Sequence, residues 1–203
     1  MRRRVATVGT IVCGLLIAAA PAASAGVTHT RAAPRTWIPY SPSFTVQQQG
    51  CGVVNGLVFK LTCTSTGGFD RAERRYVDYS RGAHKFQGTF VITSMVGSRI
   101  SLKQTFQDFV GPYFLMAVET GGTLYAVEGG QTIASGVATV GTPVTVDTVH
   151  YIGNKLQVYI NGSLKYTTSS PSGSFYDKFG AYRTDSGHGP ITVKWSNLKF
   201  WHM

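Results

Sequence analysis

Three short segments carry side chains whose types and spacing suit chemistry on a planar anion. In Arg71-Ala72-Glu73-Arg74-Arg75-Tyr76-Val77, strand alternation puts Arg71, Glu73 and Arg75 on one face. One carboxylate, Glu73, can hold both guanidiniums there while their outer edges stay free for an anionic ligand. In Ser101-Leu102-Lys103-Gln104-Thr105-Phe106-Gln107, the same alternation groups Leu102, Gln104 and Phe106. An amide among apolar neighbours can donate to a ligand carboxylate. In Tyr176-Asp177-Lys178-Phe179-Gly180-Ala181-Tyr182-Arg183, the residues Lys178, Gly180 and Tyr182 share a face. Gly180 leaves room between two functional side chains for a ligand to come close. Cations around Tyr182 would favour its ionised form and make it a usable base.

These segments must sit on strands. From about residue 44 onward the chain alternates in short apolar runs, separated by Gly, Pro, Asn or Ser. Asn161-Gly162, flanked by alternating runs, predicts a hairpin with a type I′ turn, because both residues tolerate positive φ. No helix of ordinary length is legible. Twenty-four Gly and an aromatic set of 11 Phe, 10 Tyr and 3 Trp fit a strand-rich, turn-rich chain. About thirteen antiparallel strands in one domain of residues 44–203 must stack as two sheets. The expectation is an all-β, concanavalin-like β-sandwich of the jelly-roll type.

The beginning of the chain reads differently. Arg2, Arg3 and Arg4 precede an apolar run to Ala20, and Ala23-Ser24-Ala25 gives a small-x-small cleavage site. That is the layout of a secretory signal peptide over residues 1–25, too short in its apolar part for a membrane span. Residues 26–43, with Pro34, Pro39 and Pro42, read as an extended leader. The chain has 19 Lys and Arg, and losing the three signal arginines leaves 16 against 9 Asp and Glu, a net charge of +7. An exported protein with that excess is expected to meet an anionic partner. Cys51 and Cys63 form an even pair in an oxidising compartment, and a disulfide across that short loop is worth about 3 kcal/mol in the chain-entropy view. Two cysteines without a nearby histidine are too few for zinc, and the sparse carboxylates suggest no calcium site. No metal or cofactor is expected.

Taken in order, the three segments resemble the signatures of the alginate lyases of polysaccharide lyase family 7 and related polyuronate lyases. Arg71, Glu73 and Arg75 match an Arg-x-Glu-x-Arg motif; Gln104 opens a second motif; Tyr176, Lys178, Gly180 and Tyr182 match Tyr-x-Lys-x-Gly-x-Tyr. The closing segment Val193-Lys194-Trp195-Ser196-Asn197-Leu198-Lys199-Phe200 is similar to the last strand of such domains, and the likeness spans about residues 44–202. It implies a lyase whose concave sheet grips an anionic polysaccharide and cleaves it by β-elimination; with the signal segment, the expectation is a secreted, monomeric protein. Arg75, Gln104 and Arg71 would neutralise the uronate carboxylate, Tyr182 would move the proton, and Lys178 would hold the phenolate or a sugar. Arg183 and Lys103 would line outer subsites.

One departure shapes the expected mechanism. The middle motif of the family is Gln-x-His, whereas this chain has Gln104-Thr105-Phe106. With that histidine missing, Tyr182 would serve as both base and acid. A single group can do so when the C5 proton and the leaving oxygen lie on one side of the ring, as in mannuronate and glucuronate. The Lys-x-Gly-x-Tyr-Arg form is also closer to lyases of glucuronan-like chains. His84 is the candidate for a substitute base, and His150, on a mostly apolar strand, reads as packed.

Other classes fit less well. No Glu-x-Asp-x-x-Glu run supplies a glycosidase acid and nucleophile, no Gly-x-Ser-x-Gly supplies a nucleophile elbow, and no nucleic-acid motif appears. The rival that survives is a lectin-like jelly roll that binds the same polymer without cleaving it.

Overall fold

The computed structural model describes residues 36–64 and 69–203. The proposed signal peptide and the leader up to residue 35 lie outside the described residues.

In chain order the strands are β1 (Ile38–Tyr40), β2 (Phe44–Gln49), β3 (Gly52–Asn55), β4 (Val58–Leu61) and β5 (Arg71–Tyr76). They continue with β6 (Ala83–Met95), β7 (Ser98–Gln107), β8 (Gly111–Val118), β9 (Leu124–Ala126) and β10 (Gln131–Ala134). The last are β11 (Pro143–Tyr151), β12 (Lys155–Ile160), β13 (Ser163–Ser169), β14 (Phe175–His188) and β15 (Ile191–His202). One sheet runs β10-β9-β8-β7-β14-β5-β2, and the other runs β13-β12-β11-β6-β15-β4-β3 with β1 added on β15. All of these pairings are antiparallel, and the architecture is a two-sheet jelly roll.

Two strands escape the alternation reading. β1 and β3 are short, and β1 carries Pro39. Ile38, Pro39 and Tyr40 pair with His202, Trp201 and Phe200, so this part of the leader is docked on the last strand. At Asn161-Gly162 both residues have positive φ, 50° and 80°, as the predicted turn requires. The side chain of Asn161 then accepts the N–H of Thr145 at 2.9 Å.

The interior is aromatic, and its centre lies directly beneath the three chemical segments. Phe179 of β14 is fully buried, with ring centroids of Phe59 and Phe86 at 5.6 Å and Trp195 at 5.0 Å, all from the opposite sheet. Burying such a ring stabilises the fold by about 2–3 kcal/mol. It also fixes the parity of β14: with Phe179 and Ala181 inward, Lys178 and, past the irregular step at Gly180, Tyr182 point out of the sandwich.

Two irregularities follow. Leu102 has no partner on β8, because Ser101 pairs with Ala117 and Lys103 with Met116. This bulge turns Leu102 into the core, away from the face it was expected to share with Gln104 and Phe106. Opposite it, Gly180 and Ala181 form the extra step of β14, between the pairs Phe179–Lys103 and Tyr182–Ser101. Gly180 has φ +146°, and a Cβ there would stand 2.2 Å from the carbonyl oxygen of Ala72. The glycine is therefore required by the approach of the neighbouring strand, and not only by ligand access as the sequence suggested. Gly180→Ala should cost roughly 2 kcal/mol or more from strain and collision. Urea unfolding of the variant against the parent checks this.

Candidate functional site

Register brings the three segments together. Arg75 pairs with Lys178, and Lys178 pairs with Gln104 across adjacent strands. Glu73 pairs with Gly180, and Arg71 and Ser101 flank Tyr182 on its two sides. Apart from Gly180, these positions lie on the outer face of the seven-stranded sheet. A cleft of about 600 Å³ lies there, with Arg71, Gln104, Lys178 and Tyr182 in its wall. Lys178 and Tyr182 stand four residues apart on one strand, roughly 13 Å.

The polar layer is held from below. Glu73 is buried, accepts a short hydrogen bond from Nε2 of Gln104, and has its other oxygen 3.8 Å from Nζ of Lys178. Gln104 keeps its second N–H, and its amide is oriented by this contact. Glu73 was expected to clamp Arg71 and Arg75. It instead organises Gln104 and Lys178 and is absent from the cleft wall.

The two arginines divide their tasks. Arg71 lies 5.2 Å over the Tyr182 ring, and its Nε is buried without a hydrogen-bond partner. Arg75 is bonded to Asp78 at 2.7 Å and lies 3.9 Å over the Tyr176 ring, outside the cleft wall. Arg71 is thus the guanidinium beside the phenol, where Arg75 had been the first choice.

Phe106 fills the position of the missing motif histidine. It stacks on Tyr176 at 5.3 Å and 9°, with Nζ of Lys178 at 4.6 Å from its ring. Among the described residues, no histidine lines the cleft. His84 sits on β6 in the other sheet, stacked on Tyr79 at 4.0 Å, and is not available as a substitute base. His150 is buried between Tyr79 and Ser170, as its apolar strand suggested.

Two cations expected in outer subsites lie inside the protein. Lys103 is fully buried, with Asp177 at 2.6 Å and Thr105 at 3.3 Å. Arg183 is also buried, with Nε 3.0 Å from Asp70. The backbone N–H of Arg183 donates to the Asp70 carbonyl at 3.0 Å, and Asp70 also accepts the N–H of Cys51 at 3.1 Å. Alternation turns each cation inward, opposite Gln104 and Tyr182. Cys51 and Cys63 are joined in a disulfide. With Asp70 they form the metal-ligand-like grouping found among the described residues, but both sulfurs are spent on the bond.

The wall also contains residues that the sequence reading missed. Gln47 arrives from β2, paired with Glu73, and Phe69 from the segment before β5. Glu128 and Asp185 bring carboxylates, so the wall carries two acids beside the two cations Arg71 and Lys178. Register with β5 was the signal for Gln47; the acids lie beyond the strands that alternation resolves.

Burial dominates the electrostatics. It raises the Tyr182 phenol above its ordinary range; Glu73 and Asp185 add to this, and Arg71 and Arg183 only partly oppose it. The phenol is therefore held protonated, against the expectation that its cations would ionise it. Burial lowers Lys178, although Glu73 works against that. It pushes Glu73 up to about 7 from 4.5, with Lys178 and Arg71 opposing.

The comparisons with known proteins concern the fold. An alginate lyase of polysaccharide lyase family 7 matches with TM-score 0.59 and 23% identity over 82% of this chain and 85% of its own. An alginate lyase of Corynebacterium sp. matches with TM-score 0.61 and 21% identity over 81% and 82%. One from Pseudomonas aeruginosa gives 0.56 and 18% over 78% and 86%. The fold is that of the family 7 alginate lyases. No protein-family description matches the chain, and no curated protein does.

Glu73 generates a test of the polar layer. Between pH 4.5 and about 7 the folded protein holds a proton on Glu73 that the unfolded chain releases. Stability should therefore fall as pH rises through that window, by an order of 3 kcal/mol, and stay level above it. Glu73→Gln removes this component. Parallel denaturation series of parent and variant across the window should diverge on the acidic side and run parallel above it.

Proposed function

We propose that this protein is an exported polysaccharide lyase that cleaves a β-linked polyuronate of the mannuronan or glucuronan type. The observation that carries the reading is one cleft, on a fold shared with alginate lyases, lined by Arg71, Gln104, Lys178 and Tyr182. Export rests on the amino-terminal segment. Among the described residues, no helix is long and apolar enough to cross a membrane.

The chemistry is an elimination. The C5 proton leaves to a base, its electron pair forms the C4–C5 double bond, and the C4–oxygen bond breaks. The departing oxygen takes a proton. The barrier is set by charge that builds on the uronate carboxylate as C5 is deprotonated. Arg71, with its unpartnered Nε, and the second N–H of Gln104 supply donors for that charge. Lys178 provides a further positive group, restrained by Glu73. Tyr182, as phenolate, takes the C5 proton and returns it to the leaving oxygen, so the phenolate is regenerated. A single proton carrier requires both groups on one face of the ring, which selects mannuronate or glucuronate over guluronate. That no histidine lines the cleft among the described residues supports this choice.

The raised phenol favours the second reading, a sugar-binding protein without turnover. Ultraviolet absorbance of the unsaturated product separates the two. Cleavage of mannuronan or glucuronan is expected, with none on guluronan. Cleavage confined to guluronan would overturn the single-phenol mechanism, and polymer binding without absorbance change would leave the binding protein. Because Tyr182 is held protonated at neutral pH, kcat/KM should climb with pH into the alkaline range. Tyr182→Phe should lose about 10²- to 10⁴-fold in kcat. Arg71→Ala should lose roughly 10²-fold or more, and Arg75→Ala less than about tenfold, since Arg75 is engaged by Asp78.

A further inference from the structure

A second depression lies on the opposite side of the sandwich, on the outer face of the eight-stranded sheet. Its volume is about 450 Å³. Phe86 and Phe90 of β6 point into the core, so Lys85 and Gln87 point outward. Gln87 pairs with Asp147 of β11, which pairs with Tyr159 of β12. Asp147 is only 6% exposed, yet it belongs to the wall of this depression. Nε2 of Gln87 donates to its Oδ1 at 2.8 Å, and Nζ of Lys85 lies 3.2 Å from the same oxygen.

Aromatic rings surround this polar centre. Trp37 and Tyr151 stand with centroids 6.4 Å apart, and Tyr159 joins them in the wall. Lys85 also lies 4.9 Å over the Trp201 ring, and Lys155 lies 5.6 Å over Tyr151. The exposed Lys199 pairs in register with Gln87 and so rises on the same face.

We propose that this depression is a second carbohydrate site, which holds a short run of a uronate polysaccharide on the face opposite the catalytic cleft. Ring faces accept the C–H faces of pyranoses, as they accept other flat apolar surfaces. A buried carboxylate with a neighbouring amide accepts and donates to sugar hydroxyls. Asp147 is already neutralised by Lys85, so it does not repel an acidic chain; Lys155 and Lys199 at the rim attract one. Such a site would keep a polymer on the protein between encounters with the cleft and raise its local concentration there. The site stands on its own residues and does not depend on turnover in the cleft.

The distribution of tryptophans provides the test. Trp195 is sealed in the core, Trp37 and Trp201 belong to this face, and no tryptophan lines the catalytic cleft among the described residues. Titration of the Tyr182→Phe protein with a mannuronate tetrasaccharide should give a saturable change in tryptophan emission. Tyr159→Ala and Asp147→Asn should each weaken it about tenfold or more, a loss of about 1.4 kcal/mol. Circular dichroism melts establish that each variant is folded, and the surface position of Tyr159 makes it the safer of the two. Arg71→Ala should lose cleavage yet keep the emission change. No saturable change at millimolar sugar, or a titration unaltered in both variants, would overturn the site. An equal response to neutral cellotetraose would overturn the uronate assignment. A failure here with cleavage intact would leave the lyase reading standing, and the reverse holds as well.

Discussion

The clamp on Phe179 is the constraint on which the site depends. Its ring is gripped by Phe59, Phe86 and Trp195 from the facing sheet. A one-residue slip of β14 would expel that ring and bring Lys178 and Tyr182 into an apolar interior, at a cost of several kcal/mol. Parity on β14 is thus decided by hydrophobic burial. β5 and β7, hydrogen-bonded on either side, inherit their register from it, and this carries Arg71 and Gln104 to the same face.

Electrostatics works within that frame and is governed by desolvation more than by sign. Glu73 under the cleft floor ties Gln104 and Lys178 into one polar unit, and its partners do not fully offset its burial. Lys103 with Asp177, and Arg183 with Asp70, consume charge inside the protein. The positive excess of the chain is therefore not concentrated in the cleft, whose acids balance its cations. What the site offers an anion is a small group of directed donors, which acts through geometry.

Much of this was legible in the sequence, for reasons that also explain the misses. Period-2 alternation gave thirteen of the strands and the shared face of Arg71, Lys178, Gln104 and Tyr182, because a half-buried sheet enforces it. It could not announce the bulge that turns Leu102 inward, since a bulge is a break in the very period being read. β1 and β3 were too short to show a period. Lys103 and Arg183 were misplaced for a different reason: their charge suggested a ligand, while their parity already pointed inward. Arg75 lies off the cleft wall because it is tied to Asp78, and that bond forms just past the end of β5, where alternation is silent.

The rear of the phenol's strand is tied to the disulfide. Asp70 receives the amide of Cys51 on one side and engages Arg183 through both side chain and backbone on the other. Arg183 is the immediate neighbour of Tyr182. One carboxylate thus joins the disulfide hairpin, at the sheet's inner side, to the stretch of β14 that presents Tyr182 on its outer side.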